Sequence, residues 1–304
     1  MGVHCLSPIE IGEVIPYIHW SLFFHAWKLD GKYEGITQVH GCDACRAAWI
    51  ADFPEEQRGK ASEAMQLYKD ANRLLSQLKD LGAEYCKAVF GIFPAVSLGD
   101  SLRIGELTLP LLRQQVQHDG AYKCLADYVM PQAEGRTDYV GAFAVTGGSG
   151  FEYLKEKFEQ EGDTYRAMLL QTLTDRLAEA TAEYLHRKVR MEYWGYAPHE
   201  NLDMKDLFQV KYAGIRPAIG YPSLPDQWLN KELDKLLNFS QIGIRLTENG
   251  AMQPTASISG LFIAHPQSDY FMVGHIDEEQ FQDYAARRGL SEKTARKVLS
   301  KNIE

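Results

Sequence analysis

Apolar positions fall into two clear helical stripes. Across 62–81, Leu67, Ala71, Leu74, Leu75 and Leu78 recur at spacings of three and four, which predicts an amphipathic helix with Gly82 as its stop. A longer helix is predicted over 163–193. Tyr165, Met168, Leu169, Thr172, Leu173, Leu177, Ala180, Tyr184 and Leu185 mark its buried face, Asp163 is its N-cap and Gly195 its stop. Shorter helices are expected over 111–118, 201–212 and 227–237, from a capping box at 277–280 to Gly289, and after Ser291. Strand-like runs occupy 87–93, 102–107, 139–145, 242–247, 256–263 and 270–276, the last two reading as a hairpin across 265–269. The aromatic run 17–27 should be buried or line a cleft. Helices and strands mix without a strand–helix–strand rhythm. The expected fold is therefore α+β, a largely antiparallel twisted sheet with several helices in one elaborate domain over 1–304.

Composition narrows the functional classes. With 45% apolar and 24% charged residues, 304 residues can bury a sizeable core. A net charge of −9 argues against general binding to nucleic acid or anionic membranes, which needs a cationic surface. There is no apolar run of transmembrane length and no signal-peptide pattern at the N-terminus; Leu6 stands where a myristoylation motif needs Ser or Thr. Five cysteines form no disulfide framework, so a cytoplasmic, reduced protein is expected.

Several common chemistries are missing. No GxGxxG follows a strand, the 146–150 glycine loop is neither a P-loop nor a GxSxG elbow, and no HExxH occurs. His40, Cys42 and Cys45 have metal-ligand chemistry, but a single CxxC lacks a second pair. They are read as reduced thiols in a structural role, and no metal site is expected. The run Arg216-Pro217-Ala218-Ile219-Gly220-Tyr221-Pro222 is more informative. Arginine can hold a carboxylate through two parallel hydrogen bonds, glycine admits a ligand close to the backbone, tyrosine offers a ring and a hydroxyl, and two prolines stiffen the loop. These residues fit a rigid site for a small amino-acid-like or nucleoside-like ligand. They also fit a Pro-rich connecting loop.

Arg-x-x-x-Gly-Tyr-Pro at 216–222 resembles the S-adenosylmethionine signature of the activation domain of cobalamin-dependent methionine synthase. Its companions resemble the same family in order and rough spacing, from about 17 to 286: Ala-Phe-Ala-Val-Thr-Gly-Gly at 142–148, Asp-Arg-Leu-Ala-Glu-Ala at 175–180, Tyr-Trp-Gly-Tyr-Ala-Pro at 193–198, Leu-Thr-Glu at 246–248 and Ala-Ser-Ile-Ser-Gly at 256–260 through His265-Pro266. The segment 40–60 looks like a family-variable insertion. The resemblance implies binding of S-adenosylmethionine and reductive methylation of inactive cob(II)alamin to methylcobalamin.

The resemblance also implies roles for single residues. Arg216 would meet the methionyl carboxylate, Gly220 and Tyr221 would shape the adenosine side, and Ala218, Tyr270 and Phe271 would be further cofactor contacts. Glu179 would lie near the sulfonium, and Asp175 would help receive the corrinoid's displaced histidine. Without the resemblance, Glu179 and Asp175 also read as solvated helix carboxylates one turn apart. His19 stands where the family commonly has an aspartate for the ligand's ammonium; a neutral imidazole accepts a hydrogen bond but brings no charge.

No Asp-x-His-x-x-Gly corrinoid motif occurs, so the chain should not make methionine alone. Its expected partners are the cobalamin-binding domain of a larger enzyme, or a separate corrinoid protein, and a flavodoxin-like electron donor. That donor is expected at a basic patch of Arg287, Arg288, Lys293, Arg296, Lys297 and Lys301. The alternative is a non-catalytic ligand-binding or scaffold domain regulating a corrinoid protein.

Overall fold

The computed structural model describes residues 2–33, 35–81, 85–117 and 119–303. Its main sheet has six strands: β1 (Gly2–Ile9), β2 (Cys86–Ser97), β3 (Ser101–Ile104), β4 (Leu107–Pro110), β5 (Asp138–Thr146) and β8 (Ser257–Phe262). The order is β4-β3-β2-β5-β8, with β1 beside the first half of β2, and every ladder is antiparallel. A small ribbon pairs β6 (Arg245–Leu246) with β7 (Met252–Gln253). The expected α+β class with a largely antiparallel sheet is what forms.

Helices cover both faces of this sheet. Side chains alternate across a strand, so Phe90, Phe143, Val145 and Phe262 face one way, and Val89, Val140, Ala142, Ala144 and Leu261 the other. The first set packs against α6 (Thr164–Lys188), with α4 (Arg58–Asp80) part of the same core, and the second against α8 (Asn230–Leu237). All six residues of β8 are consequently buried. A third, smaller core joins Leu112, Val273 and Ile276 to α9 (Glu278–Arg288) and α10 (Glu292–Val298). The remaining helices are α1 (Ile11–Val14), α2 (Trp20–Ala26), α3 (Asp43–Ala51), α5 (Phe151–Gln160) and α7 (Met204–Phe208).

The two long helices form where their apolar stripes place them, and Asp163 caps α6 by accepting the Arg166 amide, but Tyr165 and Met168, expected on the buried face of α6, lie exposed in its first turns. Gly82, the expected stop of the first, lies outside the described residues. Other expectations need correction. The 111–118 run is no helix over its described part, 111–117. Arg113 there is drawn instead into bonds with Asp100, Asp127 and the Gln280 side chain. Those bonds also occupy Gln280, so Asp277 caps α9 but the reciprocal half of the capping box is absent. The 102–107 run splits into β3 and β4, because Gly105 turns at φ +58. Only 204–208 of the 201–212 helix and 245–246 of the 242–247 strand form.

The most consequential correction concerns 270–276. It is not a strand and makes no hairpin with β8; Gly274 adopts φ +72, and the Val273 amide bonds to the Pro222 carbonyl at 2.9 Å. The outer edge of β8 is taken by 215–219. The Ile219 amide donates to the Ser259 carbonyl at 2.9 Å, and the Leu261 amide to the Pro217 carbonyl at 3.0 Å. Gly260 makes this approach possible, since a Cβ there would lie 2.3 Å from the Pro217 oxygen and 2.9 Å from the Ala218 Cα.

Beneath this seam lies His186 of α6, fully buried. Its ring stacks on Phe262 at 5.2 Å, and Nε2 is 3.2 Å from the Tyr196 hydroxyl. Burial first, then the charges of Arg190 and Arg216, hold its pKa well below the usual imidazole value.

Two outcomes follow for stability. Gly260→Ala must push the 215–219 segment off the sheet, and should cost about 1–3 kcal/mol in urea unfolding, as overpacking of a dense interior does. In the unfolded chain His186 protonates below about 6.5, but in the folded chain it stays neutral. Stability should therefore be fully present above that pH. It should fall as pH drops toward the folded pKa, by roughly 1.4 kcal/mol per pH unit. His186→Gln should flatten that fall in urea titrations across the same window.

Candidate functional site

Helix α6 supplies a column of polar side chains. Arg176, Glu179 and Glu183 recur at spacings of three and four, so they share one side of the helix. The helix then widens into a π turn, Val189–Tyr193, which carries Arg190. The Arg190 side chain is fully buried, so its charge needs partners. Nε and Nη2 donate to both Glu200 carboxylate oxygens at 2.6 and 2.7 Å, and the guanidinium lies over the Tyr212 ring at 4.2 Å. Glu183 stands 3.9 Å from Arg190 and accepts from Arg216 Nη2 at 2.8 Å. Burial disfavours charge on Arg216, but Glu183 and neighbouring oxygens outweigh it and hold the guanidinium firmly protonated.

Arg216 is fixed from a second direction. Its backbone amide donates to the Tyr270 hydroxyl at 2.9 Å. The next turn is held as well: the Tyr221 hydroxyl donates to Glu179 Oε1 at 2.5 Å. Burial and then the Glu179 charge raise the Tyr221 pKa, so this phenol remains a neutral donor.

These groups surround a cleft of about 520 Å³, within the usual range for small-ligand sites. Of the residues expected at the site, His19, Glu179, Arg216, Ala218, Tyr221, Tyr270 and Phe271 line it. Four lining residues carry buried polar atoms that make no hydrogen bond within the protein: His19 Nδ1, Arg176 Nε, Glu183 Oε1 and Arg216 Nε. His19 precedes α2, and its ring packs on Phe208 at 4.5 Å. Burial, and further the Arg176 charge, keep this imidazole below its usual pKa and hence neutral near pH 7.

Two expected residues stand elsewhere. Gly220 does not line the cleft, and a Cβ there would touch nothing; glycine is needed because φ is +85, where the chain turns so that its amide reaches the Leu224 carbonyl at 2.8 Å. Asp175 sits one turn before Glu179, outside the cleft, and accepts from Gln171 at 3.2 Å; burial raises its carboxyl pKa. Sequence reading missed Glu183, Arg176 and Tyr212. Glu183 lies four residues after Glu179 and Arg176 three before it on α6, so helical spacing counted from Glu179 would have found both.

The basic C-terminal run is not the open patch expected. Arg288 pairs with Asp226 at 2.9 Å and is nearly buried. Arg287 pairs with Asp283 and bonds to the Asp100 and Leu111 carbonyls, and Arg296 is held by Glu278 and Glu292. The exposed cations left are Lys293, Lys297 and Lys301.

Comparison with known proteins bears on this site. Residues 10–289 match the family model described as vitamin B12 dependent methionine synthase, activation domain. The fold is also similar to a MetH reactivation domain crystallised bound to AdoHcy, with a TM-score of 0.88 and 39% sequence identity, covering 100% of this chain and 90% of that one. The chain thus belongs to the activation-domain family of vitamin B12-dependent methionine synthases.

Proposed function

We propose that the cleft binds S-adenosylmethionine and presents its methyl group to a corrinoid carried by another domain or protein, returning inactive cob(II)alamin to methylcobalamin. The observation that carries this reading is the pairing of a fixed, charged Arg216 with buried polar atoms that make no hydrogen bond around a ligand-sized cleft. It agrees with the AdoHcy bound by the similar MetH domain. The corrinoid supplies the reacting cobalt and S-adenosylmethionine the methyl group; the protein's task is positioning. Arg216 holds the methionyl carboxylate, and Glu179 places negative charge near the sulfonium. Ala218, Tyr221, Tyr270 and Phe271 shape the adenosine side, with Gly220 setting the turn. Asp175, outside the cleft, meets the histidine that the corrinoid releases.

The partner in this reading is the cobalamin-binding domain of a methionine synthase. A flavodoxin-like donor provides the electron and approaches the exposed Lys293, Lys297 and Lys301 face. A reducing, cytoplasmic setting fits the five free thiols. Among the described residues, no helix is long and apolar enough to cross a membrane.

Calorimetry with S-adenosylmethionine tests the reading. Arg216→Ala should weaken binding by about 2–4 kcal/mol, the loss expected when one member of a desolvated charged pair is removed. Unchanged affinity in a folded variant removes the assignment. If the parent chain binds neither S-adenosylmethionine nor S-adenosylhomocysteine, a regulatory scaffold is the better description.

His19→Asp should tighten binding by about 1 kcal/mol, because a carboxylate adds charge attraction to the ligand's ammonium. The gain should shrink in high salt. Equal or weaker binding would mean that the new carboxylate pairs with Arg176 instead.

A further inference from the structure

The segment between α2 and α4 carries chemistry that the cleft does not use. His40, Cys42 and Cys45 each offer one soft ligand atom, and the three atoms lie within 4.8 Å of one another. The local fold explains why. Cys42 is the N-cap of α3, and its sulfur accepts the Cys45 amide at 3.2 Å. One helical turn brings the Cys45 thiol back over the same end. Gly41 separates His40 from the cap, and the imidazole closes the third side.

We propose that His40, Cys42 and Cys45 bind a zinc ion, with water as the fourth ligand. Two sulfurs and one imidazole are a soft donor set suited to zinc, and three protein ligands with one open position form a tetrahedral arrangement. Binding releases the two thiol protons to solvent, and the two thiolates then balance the charge of the ion. His40 separates this from a dithiol–disulfide pair, which would need only the two cysteines and leave the converging imidazole without a role.

The surrounding packing gives the ion something to do. No residue of α3 is fully buried; Trp49, Ile50 and Phe53 only lean against the main core. A metal clip at the start of α3 would hold this thinly packed segment where apolar burial is small.

The test uses the full chain, reduced and stripped of metal by a chelator, with zinc and cobalt ions as probes. The expected result is a single equivalent of zinc per chain. Cobalt should give thiolate charge-transfer absorption and the visible bands of tetrahedral geometry, and zinc should raise the melting temperature. Cys42→Ser/Cys45→Ser should lose all three signals while keeping the circular dichroism of the parent. His40→Ala should weaken zinc binding about tenfold or more. Equal zinc binding by the parent and the double serine variant overturns the site. So does equal affinity in His40→Ala, or a Cys42–Cys45 disulfide that forms reversibly in a chain that takes up no zinc. Affinity for S-adenosylmethionine should be the same in the double variant and the parent, so failure here leaves the cleft assignment standing, and the converse holds.

Discussion

A buried arginine must be given counter-charges, and much of the site is arranged around that requirement. Arg190 has no solvent to turn to, so Glu200 takes its guanidinium edge-on and Tyr212 covers its face. Glu183 completes the cluster and hands its other oxygen to Arg216. Arg216 is thereby held in one orientation by protein groups alone. The π turn at Val189–Tyr193 serves the same end. It shifts the helical register just where Arg190 must point toward Glu200 while Glu183, two turns earlier, stays on the cleft side.

The backbone supports the same arrangement from the opposite side. The 215–219 segment is stitched to β8 by main-chain hydrogen bonds, and Gly260 lets the two chains approach. Tyr270 then bonds to the Arg216 amide, and the Pro222 carbonyl receives the Val273 amide. Three distant stretches of sequence meet there: α6, the 215–222 loop and 270–273. The first provides charge, the second the arginine, and the third a tyrosine and a phenylalanine of the cleft wall. The 215–222 loop is bonded to both of the others, Arg216 alone reaching Glu183 through its side chain and Tyr270 through its amide.

Much of this was legible in the residues. The helical stripes of α4 and α6, the caps at Asp163 and Ser291 and the αL stop at Gly289 follow from local preferences that hold in nearly any context. The Arg-x-x-x-Gly-Tyr-Pro motif pointed to the cleft because its chemistry sits in a short, contiguous run. Strands were harder to place. β1 at the N-terminus and the exact partner of β8 depend on pairing between distant segments, and alternation alone does not say which edge meets which.

The sequence by itself determined the two long helices and the α+β class, since these are written in local periodicity; the 216–222 run and seven of the residues that line the cleft were reached through the family resemblance of several short motifs. Only the tertiary structure decided that 270–276 would bond to the 216–222 loop rather than pair with β8. The same holds for Glu183, which proves to be the hinge between two arginines, and for Arg287 and Arg288, which are spent inside the fold instead of facing a partner. It also held His40 beside Cys42 and Cys45. The reason is common to all four. The free energy of a charged or hydrogen-bonding group depends on which partner and how much water surround it, and neither is set until remote segments have packed.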